Sequence, residues 1–325
     1  MYFYLTGVDH KTTPLDVREN IYRRRKDMDD FLTSRSGIEA RSLITCNRIE
    51  IYAVGENADD VFFNMSGLNR VLPALSGYAY VKRGGKEVAR HALRLACGLE
   101  SQLRGEYQIF TQLKAWAGKE DFPCELGGLW HDVLASAERI RAFSGLKESR
   151  RNIADIVLDD LKKNSGIKDP PEIIVVGTGK IAELIARRGK TGARLNFIAH
   201  KNHVKAVSLA EVSGGRAFSF GDISELSCHA DAVISATSSP HYVLKKEHFL
   251  GMIEKRKKPL YVYDLAFPRD VEPAVGSVDG VFLKNLRDLD AAILEVNRSQ
   301  QEQVDLAAEL VEETLEKREG AAYVN

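Results

Sequence analysis

Cysteine is scarce in this chain: four residues in 325, at positions 46, 97, 124 and 228. None sits in a C-x-x-C pair, and His131 and His229 complete no zinc-ligand spacing, so neither a disulfide-stapled scaffold nor a structural metal site is expected. Long apolar runs are lacking too, none approaching the ~20 residues that cross a bilayer. The opening Met1-Tyr-Phe-Tyr-Leu-Thr-Gly has no basic segment of the kind that begins a signal peptide, so a cytoplasmic location without membrane contact is expected. Net charge is missing as well: 46 Lys+Arg against 46 Asp+Glu give a formal +0. That balance argues against a chain coated along its length by nucleic acid but leaves room for local basic clusters. There is no internal repeat and no low-complexity tract.

What is present is ordinary globular material, 44% hydrophobic and 28% charged, long enough for two domains or two plus an appendage at ~100–200 residues each. The first half is mixed. Leu5 to Val8 reads as a strand, Pro14-Leu-Asp-Val-Arg-Glu as a helix start and Asp27 to Ser34 as a second helix. Ile49-Glu-Ile-Tyr-Ala-Val then has the alternation of a half-buried strand, giving a small α+β domain. From Lys86 the apolar period becomes helical through Val88, Ala92 and Leu95, through Leu129, Val133 and Ile140, and again from Ile153 to Leu161.

Ser165-Gly-Ile-Lys-Asp-Pro-Pro breaks that pattern. Beyond it, short apolar strands at 173–176, 195–199, 232–236 and 260–263 alternate with helical stretches, the grammar of a doubly wound parallel sheet. The expected fold is therefore α/β: an α+β catalytic domain over 1–168, a Rossmann-type domain over 169–284, and a C-terminal helix over 285–325. In that last segment Glu302 to Glu319 is strongly acidic.

Gly177-Thr178-Gly179-Lys180-Ile181-Ala182 follows a strand and opens a helix, the context in which G-x-G-x-x-G/A marks a dinucleotide site. The first glycine allows the turn, the second lets a pyrophosphate approach, and Ala182 permits close helix packing; phosphate would rest on the positive helix end. After the second strand, Ile198-Ala-His200-Lys201-Asn-His203 carries no acid for a ribose 2′-hydroxyl but does carry Lys201 for a 2′-phosphate, which favours NADPH. Ala236 and Thr237, in Ser235-Ala-Thr-Ser-Ser-Pro240, end another strand at the ligand-binding edge; a plain loop is the alternative.

Thr45-Cys46-Asn47-Arg48 lies between two apolar runs. A cysteine beside a cation has access to the thiolate, although most isolated cysteines are buried small hydrophobes. A thiol and a nicotinamide in one chain suggest a definite chemistry, in which a thiolate takes an acyl group from an ester and the thioester then accepts hydride.

The blocks Gly7-Val-Asp-His10-Lys-Thr-Thr-Pro14, Thr45-Cys46-Asn47-Arg48-Ile-Glu50-Ile-Tyr52, Gly98-Leu-Glu-Ser101, Gly105-Glu106-Tyr-Gln108, Glu138-Arg-Ile-Arg141 and Asp264-Leu-Ala-Phe-Pro268-Arg269-Asp270, in order with the nucleotide fingerprint, resemble the glutamyl-tRNA reductase family. The resemblance implies NADPH-dependent reduction of glutamyl-tRNA to glutamate-1-semialdehyde, at the entry to tetrapyrrole synthesis. It makes Cys46 the nucleophile, sets Arg48 with Thr45, Asn47 and Ser101 on the glutamyl group, and gives His91 a proton-transfer or orienting role. Glu106 and Gln108 fall near the same pocket, with helix capping or solvation as the alternative for Glu106. His10 reads as a structural residue of a turn.

The sequence departs from the family pattern at Ile44, where Ser is usual, at Ala182, and at His200-Lys-Asn202 in place of Asn-Arg-Thr. In length it resembles a C-terminally short member, without the helical dimerisation domain expected after the long helix. A homodimer would then need another interface, and glutamate-1-semialdehyde aminotransferase is a candidate partner. Tyr22 to Lys26, Arg139 to Arg151 and Lys255 to Lys258 are candidate tRNA phosphate contacts or solvated faces. Two other functions share these features: a thioester reductase for a different acyl donor, and a non-catalytic relative that binds tRNA, nucleotide or a pathway enzyme.

Overall fold

Strand β1 (Tyr2–Asp9) stops at Asp9, whose Oδ1 accepts the backbone N–H groups of Lys11 at 3.0 Å and Thr12 at 3.2 Å. That side-chain turn redirects the chain into helix α1 (Leu15–Arg23), entered through Pro14, whose fixed φ suits a helix start. The structure is a computed structural model and describes residues 1–146, 152–166, 170–188, 192–199, 202–251, 256 and 258–318. The chain divides into two compact units, Met1–Arg150 with Val296–Asn325, and Arg151–Glu295.

In the first unit α2 (Arg25–Thr33), β2 (Ile38–Ile44), β3 (Arg48–Gly55), α3 (Ala58–Met65), α4 (Leu68–Val71) and β4 (Tyr80–Arg83) follow α1. The strands form one sheet in the order β2-β3-β1-β4, antiparallel throughout. Every residue of β3 is buried. Successive side chains of a strand face opposite ways, so both faces of β3 are covered, and the half-buried alternation expected for Ile49 to Val54 gives way to a central strand.

Helices α5 (Gly85–Ala96), α6 (Tyr107–Ala117) and α7 (Cys124–Phe143) complete the core of this unit. Trp130 is fully buried and meets Tyr52 and Trp116 edge-on, each at 5.1 Å between ring centres. The apolar side of the terminal helix joins the same core through Val304, Ala307, Val311 and Leu315, a 3–4 spacing that puts all four on one stripe.

The second unit runs α8 (Ile153–Ser165), β5 (Glu172–Val176), α9 (Lys180–Arg188), β6 (Arg194–Ile198), α10 (His203–Ser213), β7 (Arg216–Phe218), α11 (Ile223–Ser227), β8 (Ala232–Ser235), α12 (Glu247–Leu250), β9 (Leu260–Asp264) and β10 (Val281–Asn285); the division at Glu295 falls within α13 (Asp290–Ser299), and α14 (Gln301–Arg318) belongs to the first unit. The six strands of the second unit are all parallel and ordered β10-β9-β8-β5-β6-β7. Counted from β5 outward, this is the 3-2-1-4-5-6 order of a Rossmann sheet, with the switch point between β5 and β8.

The sequence expectation set α8 before the boundary at 168. In the structure Asp160 on α8 accepts from Tyr263 Oη and from Lys284 Nζ, both at 2.7 Å. Those bonds tie α8 to β9 and β10, so the turn cluster after it joins two elements of one unit.

Candidate active site

Cys46 and Asn47 form the two-residue tip of the β2–β3 hairpin: Ile44 pairs with Ile49, and Thr45 N–H donates to Arg48 O at 2.9 Å. Thr45 Oγ1 accepts the N–H groups of Asn47 and Arg48 at 3.3 and 3.2 Å, so the hydroxyl the resemblance gives to substrate also shapes the turn. Both tip carbonyls are held from outside. Arg18 Nη1 donates to Cys46 O at 2.6 Å, and His10 N–H to Asn47 O at 2.8 Å. The cysteine is thereby presented on a fixed backbone.

Cys46 is exposed, yet the protein crowding its pocket, and then the Glu106 carboxylate, push its thiol up to about 11 against Arg18 and Arg48. Exposure lets water soften that push, but the sign stands: at rest the sulfur carries its proton. Proximity to Arg48 does not make a free thiolate here.

Arg48 is itself engaged elsewhere and is 1% exposed. Its Nη1 donates to Glu50 Oε1 at 2.8 Å and its Nη2 to Glu100 O. The fork that the resemblance aims at a glutamyl carboxylate is thus engaged inside the protein, where it fixes β3 against the loop that carries Ser101.

Glu50 is the centre of this arrangement. Fully buried, it accepts from Arg48, from Tyr52 Oη at 2.7 Å, from Tyr80 Oη at 2.5 Å and from His91 Nε2 at 2.8 Å. Burial alone would raise its pKa, but His91 and Arg48 beside it, with the His91 and Tyr80 hydrogen bonds, hold it well below the usual carboxylate range. An ionised Glu50 only accepts, so Nε2 is the protonated nitrogen of His91 and Nδ1 is left for other work. His91 lines a cavity of about 390 Å³ with Tyr80, Arg94, Glu100 and Lys82.

Sequence reasoning missed Glu50 as a site residue. An acid in an alternating run reads as the solvated face, and only the covering of both faces of β3 turns it inward. Arg141, at the end of the Glu138–Arg141 block, is 1% exposed and donates to Cys97 O at 2.7 Å and to Gly105 O at 2.8 Å. It thereby fixes the loop from Gly98 to Glu106.

On that loop Ser101 is buried and hydrogen-bonded to Glu106. Glu106 stands at the N-cap of α6 but makes no capping bond with its side chain, which removes the capping alternative. Gln108 follows, half-buried in the first turn of α6.

In the second unit Gly177 follows β5 at φ +109°, and a Cβ there would lie 2.6 Å from Ala236 O. Only glycine fits this approach between β5 and β8 at the switch point. Gly179 has nothing nearer than Ala236 O at 3.8 Å, so its side is open toward the start of α9. Thr178 and Ile181 are half-buried, Lys180 is exposed and pairs with Glu183 at 3.6 Å, and Ala182 is fully buried.

This cradle fits a dinucleotide pyrophosphate: bare backbone, a helix N-terminus and no side chain in the way. Thr237 is turned to Asp270, donating through N–H at 2.7 Å and Oγ1 at 2.5 Å. His200 and Lys201, expected at the 2′-phosphate, lie outside the described residues.

A Rossmann unit in one chain with an α+β unit that presents a cysteine on a clamped turn defines a nucleotide-dependent oxidoreductase. The family model for the N-terminal domain of glutamyl-tRNA reductase matches residues 6–142, and that for shikimate/quinate 5-dehydrogenase matches 160–292. The chain is 30% identical to a glutamyl-tRNA reductase of Solibacter usitatus, covering 98% of this chain and 79% of that one. It is 32% identical to that of Ectopseudomonas mendocina, covering 96% and 76%. A solved glutamyl-tRNA reductase from Methanopyrus kandleri aligns at 25% identity with a TM-score of 0.49, over 98% and 79% of the two chains. The protein belongs to the glutamyl-tRNA reductase family.

Proposed function

We propose that the protein reduces the glutamyl group of glutamyl-tRNA to glutamate-1-semialdehyde with NADPH, the first step of tetrapyrrole synthesis, and that Cys46 forms the acyl intermediate. The observation that carries this reading is the placement of Cys46: an exposed thiol at the tip of a hairpin whose carbonyls are held by Arg18 and His10, in a chain of this family. Attack of the sulfur on the ester carbon gives a thioester and frees the tRNA, and a thioester accepts hydride more readily than an ester.

Gly177, Thr178, Gly179, Lys180, Ile181 and Ala182 would hold the cofactor pyrophosphate, with Ala236 and Thr237 across the switch point. NADPH, when bound there, supplies the hydride. To the glutamyl group we assign Thr45, Asn47, Ser101 and Gln108; Arg48 serves it from behind, by holding the turn and Glu50 in place. His91, oriented by Glu50, is assigned to the ester or the aldehyde through Nδ1.

Among the described residues no helix is long and apolar enough to cross a membrane, and charged tRNA as substrate supports assigning the reaction to the cytoplasm. The product aldehyde carries its own amine and condenses readily, which favours delivery to glutamate-1-semialdehyde aminotransferase.

Substituting Cys46→Ala tests the assignment. Aldehyde formation from glutamyl-tRNA should fall by roughly 10⁴-fold or more, with NADPH binding, read by fluorescence titration, unchanged. Full activity in the variant would refute it.

A further inference from the structure

The loop from Gly98 to Glu106, between α5 and α6, carries Ser101 and has no helix or strand of its own. Gly98 and Gly105 turn it at φ +79° and +73°, so the backbone between them is paired by no regular ladder and turns to side chains elsewhere. Arg141 from α7 takes the two ends, Cys97 O and Gly105 O. Arg48 from β3 takes Glu100 O. The middle falls to Asn297 of α13: its Nδ2 donates to Gln102 O and its Oδ1 accepts from Arg104 N–H, each at 2.9 Å. Ser101 therefore stands between two carbonyls, Glu100 O and Gln102 O, each held by a buried side chain.

We propose that Asn297 is a positioning residue of the acyl-transfer step, holding Ser101 where the glutamyl group meets Cys46. The inference rests on the reductase reading and on the assignment of Ser101 to the glutamyl group, and goes beyond both by adding a residue that acts only through the loop. In that step the carbonyl C–O(ribose) and S–H bonds break, the C–S and ribose O–H bonds form, and nothing is oxidised or reduced. Asn297 takes part in none of those bonds. Its contribution is geometric, and a displacement of about 1 Å at a reacting group costs on the order of 10²-fold in rate.

The choice of residue and its place support this role. Asparagine is a poor helix-interior residue, because its side chain competes for nearby backbone; here both halves of the amide are spent on one stretch of a distant loop. The orientation is fixed as well. A carbonyl only accepts and an N–H only donates, so a rotated amide would lose both bonds. α13 starts at Asp290 and the division between the units falls at Glu295, so the residue that holds the loop sits where the chain re-enters the first unit. Without its amide, Gln102 O and Arg104 N–H lose their partner while Arg141 and Arg48 keep the rest of the loop attached. The effect is thus confined to the segment that follows Ser101.

The test is a double-variant cycle on single-turnover acylation of Cys46 by glutamyl-tRNA without NADPH, quenched with acid. It compares the wild type with Asn297→Leu, Ser101→Ala and the two together. Leucine keeps the branched shape and removes both bonds. Asn297→Leu should lower the maximal acylation rate roughly 10- to 100-fold. Added to Ser101→Ala, it should slow the reaction by less than about threefold more, because it acts through a hydroxyl already gone. Alkylation of Cys46 by iodoacetamide, which needs no glutamyl contact, should stay within about threefold of the wild type. Asn297→Asp keeps the acceptor for Arg104 N–H and loses the donor to Gln102 O; it should show the same pattern, and it carries the cycle if the leucine variant does not fold.

Acylation within about threefold of the wild type would overturn the proposal. So would a double variant slowed by the product of the two single effects, or a parallel loss of alkylation, since both mark a merely structural residue. These outcomes leave the reductase reading intact. Wild-type acylation in Ser101→Ala would remove the Ser101 assignment and this proposal with it, and failure of the wild type to acylate at all would refute the reductase reading itself.

Discussion

Glu50 in the first unit and Asp264 in the second are both acids at the end or centre of a sheet, 0% and 4% exposed, and their surroundings treat them in opposite ways. Glu50 receives a guanidinium, an imidazole and two phenols. Asp264 receives backbone N–H groups, from Ala266 at 3.2 Å, Asp270 at 3.3 Å and Val271 at 2.9 Å. Burial raises Asp264 to about 7, and neighbouring Asp270 adds to the rise against those amides, whereas His91 and Arg48 beside it keep Glu50 ionised. A buried charge with an opposite charge beside it fixes side chains, here Arg48 and His91. A buried acid among amides fixes backbone, here the exit of β9 beside Asp270 and Thr237. The first arrangement suits a site that must aim reactive groups, and the second a site that binds a cofactor through main chain.

The largest test of this difference is Glu50→Ala. It would leave Arg48 buried at 1% exposure without its counter-charge and strip three further donors of their acceptor. The expected cost is about 3–5 kcal/mol, read by denaturant unfolding. A loss below about 1 kcal/mol would mean that the network does not carry the weight assigned to it.

Asp264→Asn sharpens the comparison from the other side. An acid with a folded pKa raised to about 7, above about 3.9 in the unfolded chain, is protonated in the native state when the unfolded state has already lost its proton. Stability contributed there is present below about pH 4 and is lost as pH rises through about 7, by at most about 1.4 kcal/mol per pH unit. The variant should flatten that decline, measured as melting temperature against pH from 5 to 8. Glu50, lowered in the fold, titrates only below its unfolded value and contributes no slope in this window. An unchanged slope in Asp264→Asn would remove the distinction between the two acids.

The same contrast governs what the sequence reveals. Apolar strands buried on both faces are legible, which is why β5, β6, β8 and β9 stand out of the sequence. At the edges β7 has three residues and β10 reads Val-Phe-Leu-Lys-Asn with four of five outside the core, so neither pattern rises above its flanks. The glycine turn after β5 is legible because the close approach of Ala236 O to Gly177 admits no side chain. Cys46 is visible through its block, but the partner that matters to Arg48 is not. Glu50 lies two residues along the same strand, where a charged residue in alternation points to solvent in most sheets, and only the tertiary covering of β3 reverses that.

The smallest effect is expected where charge pairs at the surface. Arg90 Nε on α5 lies 3.1 and 3.0 Å from the two carboxylate oxygens of Glu312 on α14, a geometry that looks like a clasp for the terminal helix. The side chains are 27% and 44% exposed, and Arg90 also pairs with Glu87, so water and a second acid compensate for the loss of either bond. Glu312→Ala should therefore cost less than about 1 kcal/mol. Leu315, 4% exposed in the core stripe of the same helix, should cost about 2–5 kcal/mol as Leu315→Ala. A Glu312→Ala loss as large as that for Leu315→Ala, measured in the same denaturant series, would show that this surface pair behaves like the buried network around Glu50 and that solvent exposure is not what separates them.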